Sequence, residues 1–459
     1  MRFLDGTDET ERLSKALASE KPSFIVMYGR RRLGKSTLMA HVLFESDIYF
    51  MADNSDRTQQ MELLSKVVAR KFADFDKLGY PDWETLLTEL NHRASDKFTV
   101  CLDEFPYLVK SCPSLPSTLQ RLIDSRCLKY NIVICGSSQH LMHGLVLDAT
   151  APLYGRADQI VKLYPIGIRY LQQALQIDAA STIEEYAVWG GVPRYWEIRE
   201  AAGGFMETIF SQVANVNGLL YDEPDRLFAD DISSTGMASS ILSLVGNGVS
   251  RLSEIASRLG KKATDLSGPL ARLSDLGYVE REIPFGDSPK NSKKGIYKIA
   301  DPFMSFYYRF VIPQRSLISL GRRAIVEKYI TDNYADFVAK RWETLCQRAV
   351  SGNRLLGVTW NVASRWWGSV DRNTQVEFDL VAESFDKQYL LIGECKWTRQ
   401  ENAEVLLDDL RRRAARFPYA QNHKVYYALF LKNAPADSPH DNVFLPQDVI
   451  NEFTNDGIL

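Results

Sequence analysis

Cysteine and histidine are scarce, six of each in 459 residues. The cysteines stand at 101, 112, 127, 135, 346 and 395, none in a C-x-x-C pair and several inside apolar stretches. That pattern speaks against a disulfide framework or a zinc site and for reduced thiols. The nearest approach to a metal motif, His140-x-x-His143 after Cys135, reads as two incidental histidines at a loop or helix start. Long hydrophobic runs are missing too. Apolar stretches such as 24–28 and 389–393 fall far short of the ~20 residues needed to span a bilayer. Without a basic-then-apolar start, neither a membrane span nor a secretory leader is expected, and a cytoplasmic location is. Nor does charge of one sign dominate. The net −3 excludes a strongly basic nucleic-acid protein at the level of the whole chain. What remains is an ordinary globular composition, 45% apolar and 25% charged, long enough for about three domains.

Residues 1–165 alternate short apolar runs (24–28, 48–51, 98–102, 131–135) with helical stretches such as 36–44 and 59–75. Runs without polar alternation are how parallel strands covered on both faces read, so this part is an α/β unit with a parallel sheet. Residues 166–235 read as mainly helical and carry the turn Gly190-Gly191-Val192-Pro193. In 236–310, helices over 252–259 and 265–276 are separated by Gly260, and Gly277 ends the second. Strands over 278–283 and 296–299 then flank a polar loop, the element order of a winged helix. From 320 to 459 the chain reads as helix 335–350, strands 358–363, 376–381 and 389–394, basic helix 403–417 and strand 424–431.

The strongest motif is Gly29-Arg30-Arg31-Arg32-Leu33-Gly34-Lys35-Ser36-Thr37, a full G-x-x-x-x-G-K-[ST] between an apolar strand and a helix. Glycines let the backbone wrap a phosphate with its amides pointing inward, and the following helix adds its N-terminal partial charge. Lys35 is expected at the β- and γ-phosphates of ATP, and Ser36 on Mg²⁺. The run ending in Asp103-Glu104 supplies the acids: Asp103 for the metal, Glu104 to polarise the attacking water. Ser137, at the end of the next strand, is expected between loop and acids. Arg156 and Arg194 are each either an arginine that stabilises the transferring phosphate or a surface ion pair. If Arg156 acts on a neighbouring subunit, a homo-oligomer is required.

These motifs, together with Leu102–Tyr107, Leu153–Arg156 and the Gly190–Pro193 turn, resemble the archaeal-type ATPases, a clade near the AAA+ and STAND P-loop enzymes. The resemblance implies an AAA+-like core at 1–165, a helical lid at 166–235 and a winged helix at 236–310. One departure shows: the family's Arg-Glu pair after an N-terminal Phe is replaced by Leu-Asp-Gly-Thr-Asp-Glu after Phe3, so contacts to the base are not carried over.

Residues 251–298 carry ten Lys+Arg against six Asp+Glu, with Lys290, Lys293 and Lys294 in the loop 286–295. Such a wing can meet DNA phosphates, or the winged helix can act as a protein–protein spacer. In the last domain, Glu377-Phe378-Asp379 and Gly393-Glu394-Cys395-Lys396-Trp397 put Glu394 and Lys396 on one strand face. Asp379 converges on them across a hairpin. Two carboxylates can hold Mg²⁺ beside a lysine that orients water, and Glu343 can add a ligand. The order resembles the PD-(D/E)XK nuclease fold, a restriction-endonuclease-like α/β domain over 320–459. The arginines at 411, 412, 413 and 416 read either as a solvated face paired to Glu404, Asp408 and Asp409, or as a phosphate-contacting rim. The sequence therefore leads to an ATPase that engages and cleaves DNA. Its rival is a STAND-like nucleotide switch binding DNA or protein, with inactive acids at 379 and 394.

Overall fold

The computed structural model describes residues 7–232, 235–290, 292–371, 374–435 and 441–452. Phe3 and the departure that begins after it lie outside the described residues up to position 6. The chain divides into two compact units, residues 1–165 with 226–233, and residues 166–225 with 234–459.

The first unit is built on five parallel strands: β1 (Phe24–Tyr28), β2 (Ile48–Met51), β3 (Thr99–Asp103), β4 (Asn131–Gly136) and β5 (Gln159–Lys162), in the order β2-β3-β4-β1-β5. Every residue of β1, β3 and β4 is buried, which explains their unbroken apolar runs. Alternate side chains feed two cores. Val26, Leu102 and Ile134 pack on one face, and Ile25, Met27, Cys101 and Val133 on the other. The helix after the phosphate-loop motif runs Lys35–Val42. The expected helix 59–75 is instead Arg57–Ala69, capped by the Asp56 side chain on the Gln59 N–H, followed by a separate turn Phe75–Lys77. Because β4 lies between β1 and β3, three strand ends meet where the motif residues cluster.

The second unit begins with helices Ile168–Leu175, Ala179–Trp189 and Pro193–Ala202. Helices Thr235–Gly246, Leu252–Arg258 and Ala263–Asp275 follow, then the antiparallel pair β6 (Val279–Glu282) and β7 (Ile296–Ile299). Gly277 closes the last of these helices at φ 75°, a conformation glycine adopts freely. A mixed sheet then forms from β10 (Ser364–Ser369), β11 (Gln375–Glu383), β12 (Tyr389–Lys396), β13 (Lys424–Leu431) and β14 (Val443–Phe444), after a short hairpin of β8 (Arg354–Leu355) and β9 (Val358–Thr359). Two expectations are corrected. The helix expected at 335–350 starts at Arg323, where Val326 and Ile330 are buried and extend its apolar stripe. The strand expected at 358–363 stops at Thr359. There Trp360 is buried, its indole N–H on the Leu355 carbonyl, with an isolated bridge to Ser384, and the next strand starts at Ser364. Among the described residues no helix is long and apolar enough to cross a membrane.

Candidate functional site: a phosphate loop and two carboxylate pairs

Gly29 follows β1, and a Cβ there would lie 2.7 Å from the Leu163 carbonyl oxygen, so only glycine lets the loop start against the end of the neighbouring strand. Gly34 sits at φ 87° and delivers the chain into the helix Lys35–Val42. Lys35 is buried, its Nζ donating to the carbonyls of Gly29 (2.8 Å) and Arg30 (3.0 Å). Burial pulls its pKa down, against the opposing charges of Glu104 and Asp103. Arg30 is buried, Arg31 donates to the Tyr107 hydroxyl (3.2 Å), and Arg32 adopts φ 69°. Leu33 is buried beside them.

Asp103 ends β3. Its Oδ2 accepts from Ser36 Oγ (2.8 Å) and from the Tyr49 hydroxyl (2.5 Å), and its Oδ1 accepts from the Glu104 N–H (2.9 Å). A serine hydroxyl and a carboxylate in contact are hard oxygen donors, which fits Mg²⁺. Tyr49 was not among the sequence candidates. Its position on β2, paired beside β3, was the available signal. Burial, and then the bond to Asp103, push its phenol up. Glu104 adopts φ 52°, uncommon for a non-glycine and concentrated at functional sites. Its Oε2 accepts from Ser137 Oγ (2.8 Å) and the Ser137 N–H (3.3 Å). Ser137 is thus held on Glu104.

Arg156 is paired with Asp124 through two bonds of 2.9 Å. Arg194 pairs with Glu197 three residues on, in the second unit. In each case the ion-pair alternative is the one occupied.

In the second unit, β11 and β12 are antiparallel with Leu380 opposite Gly393, which sets Asp379 opposite Glu394. Asp379 Oδ2 accepts from the Cys395 N–H (2.9 Å). Glu394 accepts from Lys396 Nζ at Oε1 (2.7 Å) and from Arg413 at Oε2 (2.7 Å). Burial, and then the Glu394 charge, raise Asp379 to about 6. Although burial works against its charge, Lys396 is raised by Glu394. A carboxylate pair that disfavours its own ionisation suits a divalent cation, but both oxygens of Glu394 already face cations. Glu343 lines a cavity with Arg341 and Arg365, and burial followed by the Asp379 charge raises it to about 8. Among the described residues no group of three His, Cys, Asp or Glu side chains is disposed to share one metal. The structure therefore brings Asp379, Glu394 and Lys396 together without adding Glu343 to them as a ligand set. The Arg413 contact was missed as such. Its expected partner Asp409 is present (2.8 Å), but Glu394 lies on another element.

Strand order, loop and acids define a P-loop ATPase fold of the AAA+ kind. The model of an ATPase domain predominantly from Archaea matches residues 3–195, and a model of archaeal and bacterial proteins of unknown function matches residues 307–406. An uncharacterized protein of Methanocaldococcus jannaschii is 30% identical over 434 residues, 93% of this chain and 95% of that one. The chain belongs to the archaeal-type ATPase family. Among solved structures, the Walker-type ATPase of Pyrococcus abyssi superposes with a TM-score of 0.51 at 20% identity over 67% of this chain and 96% of that one, a likeness of fold. The Aeropyrum pernix ORC2 protein, in ADPNP–ADP complexes, gives 0.44 at 15% identity over 70% and 95%.

Proposed function

We propose that the chain binds and hydrolyses ATP at the phosphate loop, and that nucleotide state controls how the second unit engages and cuts DNA. The observation that carries the ATPase reading is the meeting of Lys35, the Ser36–Asp103 contact and the Glu104–Ser137 contact at the ends of three adjacent strands. Lys35 exchanges the loop carbonyls for the β- and γ-phosphates, and the loop amides take the remaining phosphate charge. Glu104 orients and polarises the attacking water, with Ser137 holding its carboxylate in place until the γ-phosphate arrives. Ser36 and Asp103 in the first unit, and Asp379 and Glu394 in the second, would hold Mg²⁺, which would supply phosphate-charge neutralisation and a water of lowered pKa.

Residues 166–235 serve as the lid, 236–310 as a winged helix and 320–459 as the nuclease-type domain. Lys290, Lys293 and Lys294 are exposed in the loop between β6 and β7, which supports DNA contact there. Lys396 positions the water for strand cleavage, and Arg413 with its neighbours forms the phosphate rim. In this scheme Arg156 or Arg194 leaves its ion pair to stabilise the transition state, and an Arg156 acting in trans makes the assembly a homo-oligomer. A second reading, a STAND-like switch that cuts nothing, is favoured by the Arg413 and Lys396 contacts that occupy Glu394.

Paired assays test both. ATP hydrolysis is expected to fall about 10²–10³-fold in Glu104→Gln while nucleotide remains bound. Metal-dependent cleavage of plasmid and branched DNA is expected in the parent chain and absent in Asp379→Ala and Lys396→Ala. If no substrate is cut while Glu104→Gln still traps ATP, the switch reading stands.

A further inference from the structure

A cavity of about 440 Å³ lies within the second unit, between β6–β7, the segment Tyr307–Val311 and the helix Arg323–Val350. Its volume falls in the range of small-molecule sites, roughly 300–1,000 Å³. Five basic and four acidic side chains line it, but they do not cancel. Lys298 is answered by Glu280 (3.2 Å) and Glu282 (3.3 Å), and Arg365 by Glu282 (3.8 Å). Three cations have no carboxylate within 4.0 Å among the described residues: Arg309, Lys340 and Arg341. Of the remaining acids, Asp336 is exposed one turn from Lys340, and Glu343 forms no ion pair among the described residues.

Arg341 is the most telling. It is 8% exposed, and Nη1 donates to the Ala300 carbonyl at 3.1 Å, the one bond that its five N–H groups make among the described residues. Burial, and then the nearby Arg348, pull its pKa down, while the Glu280 and Asp301 charges work the other way. Its other N–H groups have no protein acceptor among the described residues, and planar guanidinium groups bind phosphate through paired N–H bonds. The ring of Tyr297, on β7, also lines the cavity, is half-buried and stacks on no other ring among the described residues. An aromatic face beside three unanswered cations matches a ligand with one ring and one phosphate.

We infer that this cavity is a second ligand site, separate from the phosphate loop, that binds a small phosphate ester of nucleotide size, with Arg309, Lys340 and Arg341 on the phosphate and Tyr297 on the ring. The site draws entirely on residues of the second unit and does not depend on whether DNA is cut.

The test uses the full chain carrying Lys35→Ala, so that the phosphate loop contributes nothing, and isothermal titration with adenosine 5′-monophosphate, inorganic phosphate and adenosine. Saturable one-to-one binding of the monophosphate is expected. It should weaken at least tenfold in an Arg309→Gln/Lys340→Gln double variant and in 0.5 M salt. Tyr297→Ala should weaken the monophosphate but not inorganic phosphate. Arg341→Gln is expected to abolish binding. Because that change can unfold the chain, the double variant, made at less buried positions, decides. The inference is overturned by absence of saturable binding below 5 mM, by unchanged affinity in the double variant, or by adenosine binding as tightly as its monophosphate. Displacement of the monophosphate by a 5′-phosphorylated oligonucleotide at hundredfold lower concentration also overturns it, in favour of a strand end.

Discussion

Asp103 and Glu104 sit among neutral donors, whereas Glu394, beside Asp379, has both oxygens on cations. Around the first pair the partners are the hydroxyls of Ser36, Tyr49 and Ser137, and the one nearby lysine is turned onto loop carbonyls. Around the second, Lys396 and Arg413 each take one oxygen of Glu394. Hydroxyls satisfy a carboxylate's lone pairs and leave its charge in place. Guanidinium and ammonium groups satisfy both. The first site therefore still calls for a cation, while the second carries much of its own countercharge, and a metal there must displace it.

The difference can be broken at either end. Lys35→Ala or Glu104→Gln should lower ATP hydrolysis about 10²–10³-fold by phosphate release, since no built-in cation substitutes for them. An equal loss from Lys396→Ala would erase the contrast. Gly29→Ala forces a Cβ against the Leu163 carbonyl. A loss of about 1–3 kcal/mol in chemical denaturation, confined to the first unit, is expected. The second site should show itself through pH. Glu343 binds its proton more tightly in the folded chain, at about 8, than at its ordinary 4.5. Its stability penalty therefore grows as pH rises from 4.5 to 8 and then levels. Glu343→Gln removes that penalty, so the variant should gain on the order of 2 kcal/mol over the parent between pH 5 and 8.5. A constant difference across that window would show that Asp379 and burial do not act on Glu343.

Smaller effects sharpen the picture. Ser137→Ala frees the Glu104 carboxylate and should lower kcat about tenfold with little change in KM. Arg413→Ala uncovers one oxygen of Glu394. Millimolar Mg²⁺ should then raise the melting temperature of the second unit more in the variant than in the parent, by about one kcal/mol equivalent. No added response would mean that Lys396 alone keeps metal out.

The phosphate loop was legible because its chemistry is local: nine consecutive residues and one strand end carry it. β1, β2, β7 and β13 matched their expected spans for the same reason, since each is a mostly apolar or aromatic run with clear borders. The first turns of the helix Arg323–Val350 were not legible. They hold Ile325, Val326, Ile330, Thr331 and Asn333, weak helix formers, and the burial of Val326 and Ile330 decides the outcome. Nor was β10, since Ser-Arg-Trp-Trp-Gly-Ser carries no strand alternation and pairing with β11 supplies its hydrogen bonds. Hairpin register foretold Asp379 opposite Glu394. The Arg413 contact depends on a helix docking over β12, a packing relation that spacing along the chain does not encode.

The loop between β6 and β7 has one more consequence. Phe285 packs edge-on to Tyr419 at 5.4 Å, and its N–H donates to the Arg365 carbonyl at 2.9 Å. Phe285 thereby joins the core beneath β10 and β13. A fragment cut at 310–320, where composition suggests a seam, would strip that core of Phe285 and lay apolar surface bare on both pieces. A graft or gene fusion that respects the fold must instead carry residues 166–225 and 234–459 together as one inherited block. Homologous exchange within the family should then leave its breakpoints near 165, and rarely inside that block.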